Sequence, residues 1–216
     1  MLRPVRLAAV LALTAAAGAA FPAPPATRAQ ALSALEGEDS AHRAEAVAWI
    51  AEHGRMEDTR LLAARLRDDS PRVRDTAERA LWRLWSRSGD DSIDRLLAQG
   101  VAAMEAGRYA GAIETFSEVI RRRPDFAEGW NKRATAYFLA GELDASRADC
   151  DEVLRRNPQH FGALSGYGLI FFRQEDYERA IAWWERALEV NPNMLGVAAN
   201  LAQARALLRD RRARTI

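Results

Sequence analysis

The stretch "ERAIAWWERALEVNP", residues 178–192, sets a small residue, Ala180, ahead of a bulky pair, Trp183 and Trp184, then Ala187 and Pro192. Taken alone it reads as one amphipathic helix with an apolar stripe of helical period. Pro192 stops it, because proline has no N–H to donate and its ring clashes with the preceding turn. The stretch is not alone. Pro124, Pro158 and Pro192 stand 34 residues apart. Three segments align on them without gaps: 91–124, 125–158 and 159–192. Corresponding places carry Gly100, Ala134 and Gly168; then Ala103, Tyr137 and Phe171; then Tyr109, Leu143 and Tyr177. Further along come Ala112, Ser146 and Ala180; Phe116, Cys150 and Trp184; and Val119, Val153 and Ala187.

Each unit reads as two amphipathic helices joined by a short turn. In the third copy, helix A is expected over about 160–174 and helix B over about 177–190. Small residues at Gly168 and Ala180 let the two helices approach, and Phe171 and Trp184 fill the space beside them. Trp183 lies about 100° round the helix from Trp184 and faces the adjoining unit or solvent. A period of 34 built from two helical patterns resembles the tetratricopeptide repeat (TPR). The resemblance covers about half of the chain. It implies an all-α fold, an α-solenoid coiled as a right-handed superhelix of helix-turn-helix repeats. Residues 194–211, with Leu195, Ala198, Leu201, Ala202 and Leu208, read as one more amphipathic helix without a partner, suited to cap the solenoid.

Residues 40–88 do not follow the period. "SAHRAEAVAWIAEHG" reads as a helix stopped by Gly54, "MEDTRLLAARLRDD" as a second, and "SPRVRDTAERALWRLW" as a third. The third has Ser70 at the N-cap and Pro71 at the first helical position. Val73, Ala77, Ala80, Leu81 and Leu84 form its apolar face. The run "LLAARLRDDSPRVRDTAERALWRL" resembles a HEAT-type repeat, although the proline usual in the first helix of that family is missing. The resemblance implies a structural pair between Asp68 and Arg74. The connection "SRSGD", 86–90, is too short for a flexible linker, so the two blocks are expected to stack into one superhelix.

The first 31 residues have the marks of a secretory signal. Arg3 and Arg6 precede an apolar run, 7–20, and Ala17-Gly18-Ala19 and Ala29-Gln30-Ala31 both fit a small-x-small cleavage site, which places cleavage between 19 and 31. The run is shorter than the ~20 residues of a spanning helix, so no stable membrane insertion is expected after cleavage. No cysteine stands near the cleavage region and no arginine pair marks a twin-arginine route. The expected location is outside the cytoplasm, a bacterial periplasm in the simplest case. Cys150 is the single cysteine, so it forms no internal disulfide. Its register with Phe116 and Trp184 points to a packed thiol.

With 31 basic and 30 acidic side chains the formal net charge is +1, which argues against a general nucleic-acid binder. His42, His53 and His160 have no metal-ligand spacing. No glycine-rich phosphate loop follows a strand pattern, and "LSGYG" lacks the glycines of a nucleophile elbow. Acid pairs such as Asp68–Asp69 and Asp90–Asp91 sit at helix boundaries, where capping and the helix dipole explain them, and Arg121–Arg123 and Arg155–Arg156 end B helices, where positive charge is favoured for the same reason. No enzyme, cofactor or metal is expected.

By the TPR resemblance, binding falls on the concave face of the A helices. The residues implied are Leu97, Val101 and Met104 in the first copy, Asn131, Thr135 and Phe138 in the second, and Ser165, Leu169 and Phe172 in the third. That face is apolar, as interaction surfaces often are. The expected function is an adaptor that binds a peptide or protein segment there. The alternative is a structural or assembly subunit of an envelope complex, its groove filled by the C-terminal helix. "WNKRATAYF" and "DCDEVL" resemble co-chaperones that grip a C-terminal carboxylate, but the positions matching that grip are Leu97, Val101, Lys132, Gly162 and Gly166. None has the residue the grip needs.

Overall fold

The computed structural model describes residues 24–214. The arginines, apolar run and first cleavage motif of the expected leader lie outside the described residues. The chain forms α1 (Arg28–Leu35), α2 (Ser40–His53), a 3-10 turn (Met56–Asp58), α3 (Thr59–Arg65) and α4 (Pro71–Trp85). The repeat region follows as α5 (Asp91–Glu105), α6 (Tyr109–Arg122), α7 (Ala127–Ala140), α8 (Leu143–Arg156), α9 (Phe161–Arg173) and α10 (Tyr177–Val190), and α11 (Leu195–Arg214) ends it. The fold is an all-α solenoid, and among the described residues no helix is long and apolar enough to cross a membrane.

The three hairpins are built by one interlock. A Cβ on Gly168 would lie 2.6 Å from Trp184 Cε2, and one on Gly100 would lie 2.7 Å from Phe116 Cδ1. Each large ring therefore occupies the place where the facing helix has no side chain, and both rings are fully buried. In the middle hairpin the facing pair is Ala134 and Cys150, one step larger on one helix and far smaller on the other. The turn inside each hairpin needs a left-handed residue. Gly107 and Gly141 supply it with φ of 72° and 87°, and in the third copy Glu175 takes it with φ 58°. Arg211 of α11 binds the Glu175 carbonyl at 3.1 Å and its carboxylate at 2.9 Å.

Helices α1 to α4 form their own core around Leu35, Val47, Ile50, Leu62, Leu66, Val73 and Leu81. Helix α1, which the sequence reading did not resolve, starts with a reciprocal cap: Gln30 N–H donates to Thr27 Oγ1 at 3.3 Å, and Thr27 N–H to Gln30 Oε1 at 3.1 Å. The expected Asp68–Arg74 side-chain pair is corrected. Asp68 takes a bidentate pair from Arg43 of α2, 2.8 and 2.7 Å, and that guanidinium holds its carboxyl down at about 2. Arg74 instead donates to the Asp68 and Asp69 carbonyls at 2.9 and 3.0 Å. The turn is tied down, with a partner from outside the repeat motif.

The block does not continue the stack at the first hairpin. The core of that hairpin, Ile93, Leu97, Ala112, Phe116 and Val119, contains no residue of α1–α4. The block folds back on the third hairpin. Phe161 of α9 is buried in its core, with Val190 and Met194 packed against it. Trp82 and Trp85 of α4 meet His160 at ring separations of 5.5 and 4.4 Å, and Phe161 at 5.2 and 4.9 Å. Asn193 joins the two parts with a bond to the Leu66 carbonyl at 2.7 Å and another from Arg74 Nε at 3.1 Å. The α9 start covers apolar surface on α4, including the Trp85 ring. The C-terminal helix α11 packs on α10 through Val197, Leu201 and Ala204, as a cap does.

Gly168→Ala should destabilise the fold by about 1–3 kcal/mol, because neither the indole nor the backbone of α9 can yield without strain. Urea denaturation of the two proteins, at unchanged slope, would measure it; equal midpoints would refute the interlock.

Candidate functional site

Helices α7 and α9 lie side by side and bound a cavity of about 270 Å³. Five of the nine residues expected on the concave face line it: Asn131, Thr135, Phe138, Ser165 and Leu169. Its floor is Ala134, Ser146 and Cys150, and Trp82 of α4 and Met194 after α10 complete its wall. The cavity falls at the second repeat for a physical reason. Cys150 stands where the neighbouring hairpins carry Phe116 and Trp184, so the interlock leaves space there.

The remaining four residues lie elsewhere. Leu97 is buried in the first hairpin's core, with Val101 and Met104 packed around it. Phe172, half-buried, packs against Tyr177 and Trp184 at ring distances of 5.6 and 5.5 Å. Phe138, at the same register in the second copy, has no such ring beside it among the described residues and reaches the cavity, with Arg173 stacked 5.3 Å from its centroid. Asn131 is buried and donates to Glu128 Oε2 at 3.2 Å. Ser165 is buried at the edge, its carbonyl accepting from Trp184 Nε1 at 3.2 Å. Thr135 is exposed, and its hydroxyl donates to the Asn131 carbonyl at 3.0 Å.

Trp82 was not foreseen as a groove residue. It sits next to Leu81 and so points off the apolar stripe of α4, as Trp183 does beside Trp184. A tryptophan off the stripe of an otherwise amphipathic helix is the signal that could have found it. Its ring explains Gly162, where a Cβ would lie 2.5 Å from Trp82 Cη2. One of the positions where a carboxylate grip would put a cation is thus filled by an indole. Lys132 is turned toward the same ring, 5.7 Å from its centroid, and toward Glu128, 3.1 Å away.

Beneath this end lies a buried polar cluster. Glu128 and His160 are both fully buried, 3.1 Å apart through His160 Nε2. His160 caps α9: its Nδ1 accepts from Ala163 N–H at 3.2 Å. An accepting Nδ1 carries no proton, so the ring hydrogen is on Nε2 and is donated to Glu128. Burial pushes the Glu128 carboxyl up, but the His160 bond and the Lys132 charge outweigh it, and the group lies below its ordinary value. Lys132 faces Oε1 without hydrogen-bond geometry, so that oxygen is paired by charge alone.

Cys150 is buried, and desolvation followed by the charges of Asp149 and Asp151 pushes its thiol up to about 12. A thiol so placed is a poor nucleophile at neutral pH. Among the described residues no group of His, Cys, Asp and Glu is arranged to hold a metal.

With this geometry in view, comparison with known proteins identifies the repeats. Residues 97–161 and 161–194 match models of the tetratricopeptide repeat family, and these residues carry TPR repeats. A TPR repeat-containing protein of Rhizobium etli is 37% identical over 108 residues, 50% of this chain and 53% of that protein. The chain spans about half or less of the length of the curated relatives it matches. Among solved structures, the first TPR of Spaghetti (RPAP3) bound to the HSP90 peptide SRMEEVD is similar with a TM-score of 0.52 and 25% identity, covering 54% of this chain and 92% of that one. The Sgt2 TPR domain from Aspergillus fumigatus, at 23% identity and TM-score 0.55, covers 57% of this chain and 83% of its own, and shares the fold.

Cys150 should react slowly with a thiol reagent such as dithiobisnitrobenzoate in the native state and at the rate of a free thiol in denaturant. Native labelling at the denatured rate would mean that the cavity floor is open to solvent.

Proposed function

We propose that the chain is an extracytoplasmic adaptor that holds a peptide or protein segment in the concave groove between α7 and α9. One observation supports this above the rest: the cavity brings Thr135, Phe138 and Leu169 to one apolar opening in a repeat whose own small residue, Cys150, leaves it unfilled. The similar TPR domain bound to an HSP90 peptide supports the class of ligand, a short chain segment. It does not carry over the carboxylate grip, since Gly162 and Gly166 stand at two of the matching positions. The HEAT-like reading of α3 and α4 rests on Asp68, Val73 and Arg74; in this proposal they belong to a platform that closes one end of the groove.

A second reading, the structural subunit with a self-filled groove, is favoured by Trp82 and Met194 in the cavity wall. The filling segment would be the N-terminal block, since α11 packs on α10. A photo-crosslinking residue at exposed Thr135, with one at exposed Ala182 as control, separates the two readings in the native envelope fraction. The adaptor reading expects a second polypeptide captured from position 135 and not from 182. Crosslinks from 135 solely to α4 of the same chain would favour the self-filled subunit.

Export is the other half of the proposal. Of the two cleavage motifs, Ala29-Gln30-Ala31 falls inside α1, where Ala31 is buried in the block's core. Ala17-Gly18-Ala19 is therefore the favoured site. Intact mass of the protein from its native compartment should show a start between Ala20 and Thr27, and a full-length chain in the cytoplasm would sink the periplasmic reading.

A further inference from the structure

Because the N-terminal block docks on the third hairpin, it leaves a cleft against the turns that join the hairpins. The cleft has a volume of about 920 Å³ and is walled by residues 54–56, 59 and 60, the end of α4 and the turn after it, and the turns at 123–127 and 156–159. Five arginines line it and one carboxylate, Asp125. Three of the arginines have work within the fold. Arg87 caps α2 through the Glu52 and Ala51 carbonyls at 2.6 and 3.0 Å. Arg156 holds the Pro124 carbonyl at 2.6 Å, and Arg123 pairs with Asp125 at 3.4 Å. Arg55 and Arg60 are exposed, and neither guanidinium has an ion-pair or hydrogen-bond partner among the described residues. In a chain whose charges otherwise balance to +1, two unpaired guanidiniums facing one cleft are a local excess.

A second, independent observation lies in the same wall. Trp85 is buried, and its Nε1 has no hydrogen-bond acceptor among the described residues. A buried donor without a partner is costly, and the indole that carries it lines the cleft. The rest of the wall is apolar: Leu84, Phe126 and the half-exposed Met56.

We propose that this cleft is a second binding site, separate from the groove, for an acidic peptide segment that sets carboxylates on Arg55 and Arg60 and an apolar side chain against Met56 and Phe126. The volume is near the upper end of ligand pockets, roughly 300–1,000 Å³, and suits a few residues of extended chain. Residues 1–23 are not the occupant by charge, for they hold Arg3 and Arg6 and no acidic side chain. A nucleic acid is disfavoured, since the arginine excess is confined to one partly apolar cleft where phosphate binding calls for an extended basic surface.

The test uses a fluorescein-labelled peptide, Glu-Glu-Leu-Glu-Glu, and fluorescence anisotropy with the intact protein. Arg55→Glu with Arg60→Glu should weaken binding at least tenfold while melting is unchanged. The charge-matched pair Arg209→Glu with Arg214→Glu, on the C-terminal tail, should change it less than twofold. Equal losses from the two pairs would show general attraction and overturn the site, as would no loss from the first. An oligo-dT of equal charge that binds as tightly as the peptide would also overturn it. With unsubstituted protein, the ¹⁵N indole resonance of Trp85 should shift on peptide addition and that of Trp183 should not; an unmoved Trp85 signal refutes the cleft whatever the variants do. Because Thr135 lies outside the cleft, failure here leaves the crosslinking result in the groove standing.

Discussion

The hydrogen bond between His160 and Glu128 is the constraint on which the rest of the structure hangs. It joins the start of α9 to the start of α7, inside a protein interior where an unpaired carboxylate would be untenable. His160 donates to Glu128 from Nε2 while Nδ1 caps α9, so the cap and the pair together fix one ring orientation. That ring then stacks on Trp85 at 24° and meets Trp82 in a T-shaped contact at 78°. The position of the N-terminal block follows from an imidazole held rigid by polar bonds on one side and covered by indoles on the other. Buried pairs of this kind add little net stability, but losing one partner leaves the other uncompensated, at about 3–5 kcal/mol. Their value here is placement.

From that placement come both candidate sites. Trp82, carried to the concave side, closes the groove over Gly162 and narrows it to the second repeat. The opposite side of the same block cannot also seal against the inter-repeat turns, because α4 is committed to α9. The arginine-lined cleft is what is left between them. Groove and cleft are thus two consequences of one docking geometry, one apolar and small, the other cationic and larger.

The repeat region was legible because its signals are local and periodic. Proline after each B helix and the alternation of small and large residues recur every 34 positions, and no long-range contact is needed to read them. The N-terminal block was legible helix by helix and illegible in its docking. Trp82 and His160 are far apart in sequence, and neither belongs to a repeated pattern. Asp68 shows the same limit at short range. Arg43 and Arg74 were both within reach, and only the packing of α2 against α4 decides which guanidinium meets the carboxylate and which meets the carbonyls. Helix α1 was hidden because its alanines also fit a cleavage motif, and composition cannot tell a small-residue recognition site from a small-residue packing face.

Phe138 and Phe172 show where register alone ceases to define a site. They occupy equivalent positions on neighbouring A helices, and the repeat assigns them one role. Their surroundings differ at two neighbouring positions, Tyr177 and Trp184 against Leu143 and Cys150. Behind Phe172 stands Trp184, which offers a ring to pack against at 5.5 Å. Behind Phe138 stands Cys150, too small to reach it, so the ring faces the cavity and takes a cation from Arg173. The repeat therefore fixes where a side chain starts, and the residue sixteen positions from the hairpin's small residue decides which neighbours its ring meets, although both phenylalanines stay half-buried against one core cluster. In this chain the smallest such residue, Cys150, creates the opening, and the groove's chemistry depends as much on that thiol's size as on the side chains that line it.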